Sequence, residues 1–256
     1  MQNKSTSLRE LTYKQLKADP PNVIILPWGA TEAHNFHLPY AADVIEAEAF
    51  AEQAARAALQ EGAKVAVLPA VPFGSNAQHL DQISTIHITT NTAGAILRDV
   101  VHALHRQGID RLVILNAHGG NEFKPHIRDL QEQYPMLIIL VNILEMIPDR
   151  IKELFSQPGD HAGELETSLL MHLCPEAVDL PSAGSGSRRP FQISGLGKPG
   201  IWTPRPWRHV HPDLGSGDPS KASAESGRLY FEAVVDSLKD LLINLSRARK
   251  GDLPYI

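Results

Sequence analysis

The sequence has one cysteine, few aromatic residues and no long hydrophobic run. The single Cys174 excludes an internal disulfide, and its apolar helical surroundings predict a buried, inert thiol. The formal net charge of -5 and the lack of any basic run argue against nucleic acid as a partner. The most apolar stretch, residues 137–147, is too short and too interrupted to span a bilayer. No signal-peptide pattern opens the chain, so we expect a cytoplasmic protein with neither nucleic-acid nor membrane partners.

Length and pattern predict one α/β domain over residues 1–256. Short apolar segments alternate with helical ones, which predicts a mostly parallel sheet with right-handed crossovers. The predicted strands are residues 22–27, 64–70, 111–116 and 136–142. Helices are expected at 7–18, 44–62, 92–108, 122–133 and 219–248. The Gly-, Pro-, Ser- and Arg-rich residues 181–219 predict a long irregular segment, and such segments in compact domains are often functional.

The 12 histidines are the first sign of chemistry, because several stand beside carboxylates or glycines. Glu32 and His34 follow the first predicted strand, and Asp43 comes nine residues later. Carboxylate and imidazole groups are the usual ligands of Zn, Mn and Fe. Alternate residues of an extended loop share a face, and the two oxygens of Asp43 allow it to bridge two ions. Alternatively, Asp43 is a helix N-cap in a capping box with Glu46, and the other two are a solvated pair.

A second cluster, residues 116–121 around His118, ends the third predicted strand. Two glycines after the histidine allow a sharp turn and close approach of the backbone to a ligand. Because ligands of such sheets bind outside the carboxyl ends of the strands, this loop and the Glu32 loop should meet there. The alternative is a glycine turn before a helix, with Asn121 as its cap and His118 merely exposed.

A third cluster spans residues 160–168. Here His161 is a candidate acid–base group, and Glu166 is a candidate metal-binding or supporting carboxylate. The alternative is that Glu164 and Glu166 only complement the dipole of a helix that starts there. A weaker fourth group consists of His79 and His87, the latter being more typical of a solvent-facing strand.

Together the clusters resemble the motifs of the creatininase (creatinine amidohydrolase) family. The matching stretches are residues 29–39 with Asp43, residues 116–121, residues 161–168 and residues 217–227, within a resemblance over roughly residues 8–245. The resemblance implies a three-layer α/β/α sandwich with a mostly parallel central sheet. It also implies a homo-oligomer, such as a hexamer, that hydrolyses C–N bonds of cyclic or linear small-molecule amides with two divalent ions. Zinc and manganese are the expected ions, with iron as a further option.

The ligands implied by the resemblance are Glu32, Asp43 and His118 for one ion, and His34 and Asp43 for the other. In creatininase the second ion also binds a glutamate two residues after the histidine of the second motif. That position is Gly120 here, so another carboxylate must serve. We expect Glu166, with Glu122 as the less favoured substitute.

On the substrate side, the resemblance places His161 near the amide, and we expect His37 and Asn76 beside it as well. Two metal ions would activate a water to attack the carbonyl, and His161 or a metal-bound carboxylate, Glu166, would deliver a proton to the leaving nitrogen. His37 would orient a ligand by hydrogen bond, or else is a structural loop histidine.

Departures from the family pattern lie mainly in the pocket wall. Asn35 and Phe36 replace a usual Gly-Pro, Ala117 replaces a glycine, and Ile83-Ser84 replaces a common Pro-Gly. The aromatic residues that surround substrate in true creatininase are also not at their expected positions. We therefore expect a substrate other than creatinine.

Two other classes of function are compatible with the sequence. One is a two-metal hydrolase of phosphoesters, for which positive charge is available from Arg188, Arg189, Arg205 and Arg208. Against it, no Gly-rich phosphate loop is present. The other is a non-catalytic, metal-binding relative, which the missing glutamate after His118 would favour.

Overall fold

A four-stranded parallel sheet forms the centre of the computed structural model, which describes residues 5–249. The strands are β1 (Val23–Trp28), β2 (Val65–Val67), β3 (Arg111–Asn116) and β4 (Leu137–Asn142). Their order is β2-β1-β3-β4, and every neighbouring pair is parallel. The two inner strands, β1 and β3, are buried at every position, as expected for parallel strands covered on both faces.

Helices make up most of the remaining regular structure. They are α1 (Tyr13–Ala18), α2 (Ala42–Gln60), α3 (Thr90–Arg106), α4 (Lys124–Gln133), α5 (Pro148–Leu154), α6 (Glu164–Leu173), α7 (Trp207–Val210) and α8 (Ala224–Arg247). No helix within residues 5–249 is both long enough and apolar enough to cross a membrane.

The core lies in two layers, one on each face of the sheet. Val23 and Ile25 of β1 pack with residues of α2, α6 and α8, whereas Ile24 and Leu26 pack with α3 and α4. This division follows from the two-residue repeat of a strand, which sends alternate side chains to opposite faces. Each fully buried aliphatic side chain contributes about 1.5–3 kcal/mol. The arrangement confirms the predicted three-layer α/β/α sandwich.

Two helices begin later than the sequence predicted, because N-capping side chains determine where each helix starts. The last helix begins at Ala224 instead of residue 219, because the Ser223 side chain accepts a hydrogen bond from Ser226 N at 3.1 Å. The first begins at Tyr13 instead of residue 7, after a capping box formed by Thr12 and Gln15.

The register of β1 and β3 brings the two motif-bearing loops together. Trp28, the last residue of β1, pairs with Asn116, the last residue of β3, so both following loops leave the same edge. Gly29 allows the first loop to touch helix α2, since a Cβ atom there would lie 2.6 Å from the backbone nitrogen of Val44.

Candidate metal centre

Buried histidines and carboxylates from separate parts of the chain converge at this edge. Two groups have ligand atoms that all lie within 4.8 Å of one another: Glu32, Asp43 and His118, and His34, Asp43 and Glu166. A third such group is Glu32, His34 and His161. Each of these six residues is less than one-tenth exposed. The loop after β1, the start of α2, the loop after β3 and the start of α6 therefore contribute to one centre.

Asp43 divides its two oxygens between the two halves of the centre. Its Oδ1 lies 2.9 Å from His34 Nε2, and its Oδ2 lies 3.1 Å from His118 Nδ1. The Nδ1 atom of His118 also lies 3.0 Å from Glu32 Oε1. A carboxylate placed in this way has the geometry of a ligand shared by two cations.

Backbone carbonyls orient the three histidines. His34 Nδ1 lies 3.1 Å from the carbonyl oxygen of Glu32, His118 Nε2 lies 3.3 Å from that of Ser75, and His161 Nε2 lies 2.8 Å from that of Ala33. A carbonyl only accepts, so each of these nitrogens is the donor. The opposite ring nitrogen of each histidine is thereby directed at the carboxylates, as in metal sites whose ligands are oriented by backbone carbonyls.

Several carboxylate oxygens of the centre lack a hydrogen-bond donor. Both oxygens of Glu32 and Oδ2 of Asp43 are buried without a hydrogen bond within the described chain, although His118 Nδ1 is close. Buried oxygens without a donor are costly, because each loses its hydration. Lone pairs that converge in this way fit a divalent cation. The residues present therefore suit the divalent metal ions that the family resemblance implies.

The electrostatics of the centre favour positive charge. Burial opposes the imidazolium form of His34, but the carboxylates of Asp43, Glu166 and Glu32 together outweigh burial and raise the pKa of His34 to about 10. The pKa of His118 is likewise raised well above its usual value, where burial is opposed by Glu32 and Asp43. For Glu166, burial and the charge of Asp43 raise the pKa to about 7.

Glu166 lies among the ligand atoms and Glu122 does not. Glu166 Oε2 accepts a hydrogen bond from Ala162 N, and its Oε1 lies 3.9 Å from His34 Nε2. Glu122 is exposed and belongs to none of the ligand groups. Gly120 has no room for a side chain, because a Cβ atom would lie 2.5 Å from His118 Nε2 and from the Ser75 carbonyl oxygen. The placement therefore favours Glu166 as the carboxylate that compensates for Gly120.

The capping alternatives are wrong. Helix α2 starts at Ala42 with Ala41 as its N-cap, and no side chain caps it, so Asp43 lies inside the first turn and faces the histidines. Asn121 does not cap α4, whose N-cap is Phe123; its amide instead bonds Asn116 Oδ1 at 2.9 Å.

Backbone strain positions His161. The next residue, Ala162, has a left-handed φ of 51°, which is uncommon for a residue with a Cβ atom and costs roughly 1 kcal/mol. Two backbone hydrogen bonds between His161 and Ser216, of 2.7 and 3.2 Å, hold the loop. The Nδ1 atom of His161 faces the centre at 3.7 Å from Glu32 Oε1.

His37 and Asn76 lie outside the cavities beside the centre. His37 Nε2 shares a hydrogen bond of 2.8 Å with Thr167 Oγ1, and Asn76 Nδ2 donates to the Ile86 carbonyl at 3.0 Å. Neither residue lines the cavities. His37 Nδ1 and Asn76 Oδ1 are buried without a hydrogen bond within residues 5–249. The bonded atoms of both residues favour a role in positioning the loops, and their contact with substrate stays a prediction.

Three further residues of the site were not part of the predicted set of metal-binding and substrate-binding residues. His79 Nδ1 lies 2.9 Å from Glu32 Oε2, and the Trp207 ring stacks on the His79 ring with centroids 4.2 Å apart. Glu46, one turn after Asp43, is fully buried, and both its oxygens lack a hydrogen bond within residues 5–249. The helical spacing of Glu46 from Asp43 was a usable signal, whereas nothing periodic marks Trp207.

Two cavities open from the centre. One, of about 360 Å³, is lined by Glu32, Asp43, His118, His161 and Glu166 among others. The other, of about 630 Å³, shares Glu32, His118 and His161 and extends to Trp202, Arg205 and Trp207 of the 181–219 segment. This segment therefore packs over the metal-ligand cluster of its own chain.

Known proteins share this sequence and fold. The family model for creatinine amidohydrolase matches residues 9–242. A mycofactocin precursor peptide peptidase of Mycobacterium ulcerans (strain Agy99) is 30% identical over 88% of this chain and 86% of its own. A crystal structure of a candidate creatinine amidohydrolase from Bacteroides fragilis NCTC 9343 is 41% identical, with a TM-score of 0.90 over 97% of this chain and 99% of its own.

Two solved creatininases, a mutant of Zn-Zn type and a Mn form, show the same fold. Each is 24% identical, with a TM-score of 0.77 over 96% of this chain and 100% of its own. The chain belongs to the creatininase family, and it is an amidohydrolase-type enzyme.

Proposed function

We propose that the protein hydrolyses a C–N amide bond with a pair of divalent ions held at the candidate metal centre. Glu32, Asp43 and His118 would hold one ion, and His34, Asp43 and Glu166 the other. The observation that carries the proposal is the divided Asp43 carboxylate, with one oxygen facing His34 and the other facing His118. The Zn-Zn and Mn forms of the related creatininases support divalent ions as the cofactor.

When bound, such ions would supply Lewis acidity at the amide carbonyl and acidify a water to a pKa near neutral. The chain's own part is to orient the substrate and to move a proton. His161 Nε2 donates to the Ala33 carbonyl, so Nδ1 is the atom that accepts a proton and returns it to the leaving nitrogen. Burial and the neighbouring His34 lower the pKa of His161 to about 3, so the imidazole is neutral near pH 7 and Nδ1 carries no proton before the reaction.

The departures in the pocket wall support a substrate other than creatinine. The cavity of about 630 Å³ lies within the range typical of sites for drug-sized ligands, 300–1,000 Å³. Zinc or manganese as the native ions, a single domain, a cytoplasmic location and a homo-oligomer stay predictions.

Metal analysis combined with a substrate screen tests the proposal. The purified chain, loaded with Mn²⁺ or Zn²⁺, is expected to bind two ions and to cleave amides in preference to phosphate esters. Asp43→Asn should lose at least one ion and all measurable hydrolysis while its circular dichroism is retained. Asp149→Asn is the matched control, because Asp149 also lies in a first helical turn but is exposed and, within residues 5–249, pairs only with Lys152, at 3.2 Å.

Two results would contradict the proposal. Full activity and two ions in Asp43→Asn would make Asp43 a merely structural residue. A single ion per chain with no amide or ester hydrolysis would favour the non-catalytic relative.

A further inference from the structure

The larger cavity contains an arginine held by three neighbours. Arg205 Nη1 lies 2.6 Å from Asp160 Oδ2 and 3.4 Å from His211 Nε2. The guanidinium carbon lies 4.5 Å from the centroid of the Trp207 ring, which is a cation–π contact. Arg205 is thus positioned on the wall of the cavity before any ligand binds.

Two of the three nitrogens of this arginine have unused donors. Both polar contacts involve Nη1, and within residues 5–249 the Nε and Nη2 atoms have no acceptor. The Nε and Nη2 donors of a guanidinium are parallel and match the two oxygens of a carboxylate or a phosphate. Arg205 therefore retains the edge that binds an oxyanion in two-point fashion.

The charges around the arginine leave it able to bind an anion. Asp160 is 58% exposed, so its ion pair with Arg205 is screened by solvent and weak. Burial and the charges of Arg205 and Arg188 lower the pKa of His211 to about 4, so His211 stays neutral and acts as an acceptor. The other acids that line the cavity are Glu122 on the His118 loop and the buried Glu32, and neither forms an ion pair with Arg205 within residues 5–249.

The arginine is one aromatic ring away from the metal centre. The Trp207 ring that carries Arg205 also lies edge-on to the His161 ring, with centroids 5.2 Å apart. A ligand in the cavity can reach both groups, because Arg205 and His161 line the same space. At the rim, Trp202 is 84% exposed and offers a face for a planar group.

We propose that the substrate is an amide that carries an oxyanion, a carboxylate or a phosphate, and that Arg205 binds this group while the amide lies at the metal centre. This inference rests on the proposed amide hydrolysis. It makes Arg205 a specificity residue with no part in the bond-breaking step.

Matched amides test the inference with the Mn²⁺-loaded protein. The neutral probe is N-propylacetamide; the carboxylate probes are N-acetyl-β-alanine and N-acetyl-4-aminobutyrate; the phosphate probe is N-acetyl-2-aminoethyl phosphate. We expect the ratio of kcat/KM for an anionic over the neutral amide to fall about 10- to 100-fold in Arg205→Gln, the usual value of a charge-assisted hydrogen bond. Arg205→Lys should recover part of the preference, and the two anionic series identify which oxyanion is bound.

Arg208→Gln is the control, because Arg208 is an exposed arginine of the same segment that does not line the cavity. It should keep the wild-type ratio. An anionic preference that survives Arg205→Gln, or wild-type protein without such a preference, overturns the inference. If no amide is cleaved, the proposed function fails. Calorimetric binding of the same compounds then still tests whether Arg205 binds an oxyanion. Weaker binding of the anions to Arg205→Gln supports Arg205 as the anion site, and equal binding excludes it.

Discussion

Asn35 and Gly184 are joined by two hydrogen bonds that tie the 181–219 segment to the loop of His34. Gly184 N donates to Asn35 Oδ1 at 2.9 Å, and Asn35 Nδ2 donates to the Gly184 carbonyl at 3.2 Å. Asn35 has a left-handed φ of 52°, a conformation that asparagine tolerates better than most residues with a Cβ atom. Asn35, which stands where the family pattern has glycine, thus adopts a left-handed conformation and adds a tether that glycine cannot make.

Removing the hydrogen bonds between Asn35 and Gly184 should loosen the 181–219 segment while the backbone of the His34 loop is kept. We expect Asn35→Gly, which retains the left-handed conformation, to lower the free energy of unfolding by about 1–2 kcal/mol through the lost hydrogen bonds. Asn35→Ala should cost roughly 1 kcal/mol more, because alanine is strained at this φ. Chemical denaturation measures both effects, and limited proteolysis should show faster cleavage within residues 187–202. Wild-type stability together with wild-type proteolysis of Asn35→Gly would exclude the tether.

Glu166 and Glu122 give a matched pair for the second ion. Glu166→Gln should lose one ion per chain, since its Oε1 faces His34 Nε2 across 3.9 Å. The activity loss should exceed the roughly 10- to 100-fold that follows the loss of a group that only supports a ligand. Glu122→Gln should keep both ions, because its carboxylate is exposed and outside the ligand groups. Metal content by mass spectrometry distinguishes the two, and the reverse result would assign the ligand to Glu122.

The sequence predicted the sheet and most of the residues that cluster in the candidate metal centre, because both are encoded over short distances. A buried parallel strand contains a continuous apolar run, as in residues 112–115 of β3, and the following loop must lie at the carboxyl edge. The sequence alone could not decide whether Asp43 is a helix cap or a metal ligand, since an acidic residue at the start of a helix suits both roles. That choice depends on His118, which approaches Asp43 only in the folded chain.

The part of the larger cavity that Trp207 lines could not be predicted from the sequence. Trp207 belongs to a helix of four residues within an irregular segment, so no periodicity marks the face that it buries. Its contact with His79 joins positions more than a hundred residues apart, which local pattern cannot reveal.

Trp207 should stabilise both the segment and His79. It is 3% exposed, and its Nε1 donates to the Leu214 carbonyl at 2.9 Å. Trp207→Ala is expected to cost about 3–5 kcal/mol, as is typical for truncation of a buried tryptophan. Trp207→Phe keeps a ring against His79 and should cost less, about the value of the lost hydrogen bond, 0.5–1.5 kcal/mol. Equal losses in the two variants, measured by urea denaturation, would show that ring packing is not the main contribution.

Glu46 should make the metal-free protein less stable as the pH rises. Burial, together with the charges of Glu166 and Asp43, raises the pKa of Glu46 well above its usual value of 4.5. Between the unfolded and the folded pKa, the native state holds a proton that the unfolded state has lost. Wild-type stability relative to Glu46→Gln should therefore fall as the pH increases above 4.5, by up to about 1.4 kcal/mol per pH unit.

Urea denaturation of the chelator-treated wild type and Glu46→Gln between pH 4 and 8 measures this difference. Below pH 4.5 the two proteins should approach equal stability, because Glu46 is then protonated in both states. The exposed Glu232→Gln provides the control, since Glu232 pairs with Arg228 on the surface of α8 and should show no comparable trend. A difference between wild type and Glu46→Gln that does not change with pH would mean that Glu46 is ionised in the native protein, with a partner in place of the buried proton.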